Sequence, residues 1–118
     1  MPNPTEASAR FAASLQSVDD ARYANEKYIK APKFIVQAGN VYDKIMEQGE
    51  SEFSFSVHAF VVRATGDLVK AASWKAPQKS KTHPSGLAVR FNISDPAGFA
   101  EAVDAYRTRR FGYLYANN

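Results

Sequence analysis

The stretch "SVHAFVVRATGDLVKAASW", Ser56 to Trp74, decides the fold. Two apolar runs flank "ATGD", where Thr65 and Gly66 suit the centre of a tight turn because glycine tolerates a positive φ. The pattern predicts a β-hairpin. The alternation begins upstream. Phe53, Phe55, Val57, Ala59 and Val61 fall on one face, and Ser54, Ser56, His58, Phe60 and Val62 on the other. One face is wholly apolar and the second becomes so only toward its end, as in a central strand covered on one side and half covered on the other. With Arg63 opposite Leu68, the register sets His58 opposite Ser73 and Val57 opposite Trp74.

Outward from the hairpin, "LAVRFNI" predicts a strand with Leu87, Val89, Phe91 and Ile93 inward and Ala88, Arg90 and Asn92 outward. Upstream, Phe34 to Gln37 and Val41 to Glu47 predict two strands joined by a turn at Gly39–Asn40. A helix is expected at each end of the chain. At the first, Thr5 is placed to cap, Ala7, Phe11, Leu15, Val18 and Arg22 form a thin stripe that predicts loose docking, and Pro32 sets the end. At the second, Asp95 caps, Pro96 opens the first turn, Phe99, Ala102, Val103 and Tyr106 form the buried stripe, and Gly112 stops the helix. The expected fold is α+β: one domain over residues 1–118, with a helical segment at 1–32. A single antiparallel sheet of four to five strands follows at 33–93, carrying an inserted basic loop at 75–86, and then a C-terminal helix and aromatic tail at 94–118.

Composition narrows the function. The chain has 118 residues, 45% of them hydrophobic, enough to build a core. It has no cysteine, which excludes disulfides, thiolate zinc sites and thiol nucleophiles. No apolar run approaches the roughly 18 residues of a membrane span. The first twenty residues lack a basic end followed by an apolar block, so no membrane role is expected and a cytoplasmic setting is. The net charge of +3 permits nucleic-acid binding without demanding it.

Half of the chain resembles a group of small proteins encoded by tailed bacteriophages. The likeness rests on "YDKI" at Tyr42–Ile45, "SVHAFV" at Ser56–Val61, "TGD" at Thr65–Asp67, "KAASWKAP" at Lys70–Pro77 and "RFN" at Arg90–Asn92. It implies a phage genome and an infected bacterial cytoplasm, and it brings no activity. The chain departs from the pattern at Ser80–Gly86, "SKTHPSG", where a shorter link is expected.

The candidate sites follow from charge and aromaticity. Lys70, Lys75, Lys79, Lys81, His83 and Arg90 lie in a stretch opposed only by Asp67, with Trp74 among them. Lysines neutralise phosphates and an exposed indole stacks bases, so these residues form the expected DNA- or RNA-binding surface. Against that, lysine loops are commonly just solvated, and a lone tryptophan is more often core. His58, near Ser73 and with Asp43 or Asp67 as partner, has no nucleophile elbow beside it and reads as structural. No metal site, cofactor or catalytic residue is expected, since His58 and His83 have no acidic or histidine neighbour at ligand spacing. The tail residues Phe111, Tyr113, Leu114 and Tyr115 suit an interface with a host or phage protein, unless they close their own core. The leading expectation is a non-enzymatic phage accessory protein that binds nucleic acid. A protein-binding module comes next, and a virion component third.

Overall fold

The computed structural model describes residues 3–49, 51, 53–110 and 112–114. Phe111 and Tyr115 lie outside these residues. Two helices, α1 (Glu6–Arg22) and α2 (Pro96–Thr108), flank five strands: β1 (Lys33–Ala38), β2 (Tyr42–Gln48), β3 (Phe55–Val62), β4 (Asp67–Lys70) and β5 (Val89–Asn92). The strands form one antiparallel sheet in the order β1-β2-β3-β4-β5. Phe11 and Leu15 of α1 and Ala102 and Tyr106 of α2 share a single core with Ile45, Ala59, Val61 and Leu68. Both helices therefore cover one face of the sheet. The fold is the two-layer α+β arrangement read from the sequence.

The helix caps form where expected. Thr5 Oγ1 accepts from the Ser8 N–H, and Asp95 accepts from the Gly98 N–H with Pro96 in the first turn. Gly98 also lets α2 approach β5, since a Cβ there would meet the Asn92 carbonyl oxygen at 2.2 Å. The helices are shorter than expected. α1 stops at Arg22, well before Pro32, and its end is tied to the C-terminal part of the chain. Arg22 donates to the Arg107 carbonyl (2.9 Å), and the Tyr23 ring lies under the Arg110 guanidinium. α1 does not dock loosely either: Phe11 and Leu15 are fully buried, and so are Ser8 and Asp19.

Irregular strands change which residues share a face. β2 and β3 pair regularly from Tyr42↔Val62 to Ile45↔Ala59, then resume at Met46↔Val57, so His58 is an extra residue in β3. Such a bulge reverses the alternation on one side of it. His58 and Ala59, adjacent in sequence, both face the helices: Ala59 is in the core and the His58 ring packs on Tyr106. The register moves Phe55 and Val57, partners of Gln48 and Met46, to the opposite face. The expected single face of Phe53 through Val61 is corrected accordingly. β5 repeats the device. Leu68↔Phe91 is followed by Val69↔Val89, which leaves Arg90 as the extra residue. Arg90 therefore turns inward, against expectation, and its Nε donates to the Leu114 carbonyl at 2.7 Å.

The hairpin turn is longer than two residues. Val61 pairs with Leu68, leaving Arg63 to Gly66 as the loop, with Gly66 at φ 81°. β4 ends at Lys70, so Ser73 and Trp74 never reach positions opposite His58 and Val57. The chain instead turns and inserts residues 77–79 between the ends of β4 and β5. The Gln78 N–H donates to the Lys70 carbonyl and the Ala88 N–H to the Gln78 carbonyl, both at 2.8 Å. Bridges at Ala71↔Pro77 and Lys79↔Leu87 complete the insertion. Residues 77–79 of the basic loop are thus built into the sheet.

Buried charges join helices to sheet. Asp19 of α1 accepts from the Tyr106 hydroxyl (2.9 Å) and from Arg110 (3.2 Å). Asp43 of β2 accepts from the Thr5 N–H (2.9 Å) and from Arg63 (2.5 Å), which holds a carboxylate at the positive end of α1. Removing one partner of such a pair strands the other. Asp19→Ala is expected to cost roughly 3–5 kcal/mol, a fall in melting temperature on the order of 10 °C or more. Asp19→Asn, which keeps an acceptor for Tyr106, should cost clearly less in the same thermal melts.

Candidate functional site

The residues expected to form one basic surface divide between the two faces of the sheet. Lys70 pairs with Ala59 and so faces the helices, and Arg90 is engaged with Leu114. Trp74, Lys75, Lys79 and Lys81 stay together on the loop and are exposed. His83 Nδ1 accepts from the Ser85 N–H (3.1 Å), which orders the turn that closes at Gly86. Trp74 lies on the helix-free side, 48% exposed, with Lys44 Nζ 4.5 Å from its ring centroid and 5.9 Å from that of Phe60. Lys44 was not anticipated. Its place in "YDKIMEQ", one residue from the core-facing Ile45, is the signal that puts it on this face.

Of the tail residues, Tyr113 and Leu114 are 3% and 5% exposed and belong to the core, so these two close their own domain. Burying their apolar surface contributes more than leaving it to solvent.

Tyr113 borders a cleft of about 200 Å³. Its walls come from β2 (Glu47), β3 (Val57, His58), the end of β4 (Lys70, Ala71), α2 (Tyr106) and the C-terminal segment (Arg110, Tyr113, Leu114). His58 sits at the centre, its side chain 7% exposed. Its Nδ1 lies 3.5 Å from Glu47 Oε2 and its Nε2 2.5 Å from the Tyr113 hydroxyl. The ring is clamped edge-on by Phe34 and Tyr106 at centroid distances of 5.3 and 5.5 Å. None of the sequence candidates Ser73, Asp43 or Asp67 is among these neighbours. Alternation could have flagged Glu47, which shares a face with Asp43 and Ile45; the bulge that brings His58 to it has no simple sequence signal.

The electrostatics of the cleft follow from burial. Burial works to raise the Glu47 pKa, but His58 and the Arg110 charge more than offset it, and the carboxyl is held below its ordinary range. Burial, and then Asp19, push the Tyr106 hydroxyl upward, and burial does the same to Tyr113. Among the described residues no cluster of three or more His, Asp or Glu side chains could hold a metal ion, and no helix is long and apolar enough to cross a membrane.

Glu47 makes a pH prediction. A carboxyl whose folded pKa is depressed contributes stability above its unfolded pKa and loses it as pH falls through the folded value. Glu47→Gln should therefore be less stable than the parent at pH 7, and the gap should close below about pH 4. Urea unfolding at both pH values measures it.

No curated protein and no solved structure matches this chain. A family of unknown function, DUF7717, matches residues 6–115, nearly the whole length, and the chain belongs to that family.

Proposed function

We propose that this protein is a non-enzymatic accessory protein that binds single-stranded nucleic acid through the helix-free side of its sheet. The observation that carries the reading is the placement of Trp74. Its indole is half exposed, cradled by Lys44, on a loop whose Lys75, Lys79 and Lys81 are all exposed. No carboxylate occurs between Leu68 and Ser94. A base stacks on the open indole while the lysines neutralise flanking phosphates, a mode tolerant of sequence because every base has a π-face. Lys70 and Arg90 take no part, since they face the other layer. The likeness to small tailed-phage proteins supports action in an infected bacterium on phage or host strands. In the rival reading, a protein interface on the tail, Tyr113 and Leu114 would offer no surface, since both are buried.

Fluorescence anisotropy with labelled single-stranded DNA, RNA and duplex DNA tests this. For roughly four phosphate contacts on a single strand, affinity should fall about 50-fold between 50 and 200 mM salt. Trp74→Ala should cost about 1–3 kcal/mol of binding. Lys75→Ala/Lys79→Ala/Lys81→Ala should flatten the salt dependence. Absence of binding at low salt, or binding indifferent to both variants, would contradict the reading.

A further inference from the structure

We propose that the cleft walled by Glu47, His58, Lys70, Tyr106, Arg110 and Tyr113 binds a small zwitterion of the amino-acid class. The cleft opens on the helix-covered side of the sheet, away from Trp74, and the inference stands independently of nucleic-acid binding.

The first ground is the mixed sign of the walls. A lining of cations alone would accept any anion. Here Lys70 and Arg110 share the cleft with Glu47. Glu47 repels a dianion and favours a ligand that carries a donor beside its anionic group. Arg110 is fixed by Asp19 and by the Tyr23 hydroxyl, so its charge is positioned in advance. Lys70, the last residue of β4, brings a second cation on a flexible stem to the cleft. Asp19 already balances Arg110, so Lys70 carries the charge that a ligand carboxylate meets, and partial removal of water strengthens the attraction.

The second ground is the incomplete engagement of Glu47. Among the described residues its partner is His58, which approaches one carboxylate oxygen at 3.5 Å. An ionised carboxylate offers about four lone-pair sites, so Glu47 retains capacity for an ammonium group. His58, locked between Phe34, Tyr106 and Tyr113, holds that carboxylate in place. The third ground is size. About 200 Å³ equals the liquid volume of roughly seven waters, which suits a ligand of about that many non-hydrogen atoms or slightly more. Leu114 offers the ligand an apolar wall.

The test is protein-observed NMR of the His58 and Tyr113 ring signals during titration with glycine, L-leucine and L-phenylalanine. For any amino acid that binds, its decarboxylated amine and its deaminated acid are titrated in parallel. The expected result is a saturable shift for at least one amino acid, with both analogues at least tenfold weaker, a difference of about 1.4 kcal/mol. Lys70→Met and Glu47→Gln should each weaken it by a similar factor. Lys70→Met should leave the core signals of Phe11 and Leu15 of α1 unmoved, which separates a lost ligand contact from a lost fold. No saturable shift with any of the three up to about 20 mM, or an amine or acid that binds as well as the parent, would overturn the proposal.

Discussion

One extra residue in β3 governs how this molecule is assembled. His58 has no cross-strand partner, and its insertion brings two successive side chains, His58 and Ala59, to the helix-covered face. Ala59 fills the core and His58 supplies the polar group on which the C-terminal segment lands. Arg90 does the same from β5 by gripping the Leu114 carbonyl. Two bulges thus aim two polar side chains at one short segment. That segment buries Tyr113 and Leu114 over the sheet, beside Tyr106 of α2. Bulges commonly re-aim side chains at sheet edges and binding sites, and the cleft beside Tyr113 is walled by the first of these two, at His58.

The buried charges act in the same direction. Asp43 fastens the start of α1 to β2, and Asp19 fastens its end to Tyr106 and Arg110. A hydrophobic stripe as narrow as that of α1 would leave the rotation of the helix poorly specified. Two buried carboxylates, each with more than one donor, fix it. Polar networks of this kind favour one packing over its neighbours, at the cost of sensitivity to any lost partner. They also set the positive charge of Arg110 at the cleft.

The regular parts of the fold are legible in the sequence because their signals are local. Thr5 and Asp95 cap, Pro96 opens α2, and the apolar alternation marks β1 and β2. The candidate site is legible only in part. Trp74, Lys75, Lys79 and Lys81 fall on an exposed loop, as their composition suggests. Lys70, Arg90 and His58 go astray because alternation assumes an unbroken strand, whereas the early end of β4 and the two bulges are decided by tertiary packing. The end of α1 at Arg22 has no local signal either, since no proline or glycine stands there.

The molecule therefore has a smooth division of labour. The helix-covered face carries the buried relay of Glu47, His58 and Tyr113, and the open face carries the indole and the lysines. Everything on the covered face depends on the direction in which His58 points. Nuclear Overhauser effects from the His58 ring protons decide that direction. The bulged strand predicts contacts to the rings of Phe34, Tyr106 and Tyr113. Contacts to Phe60 and Met46, with none to Tyr113, would show an unbroken strand and contradict the assembly described.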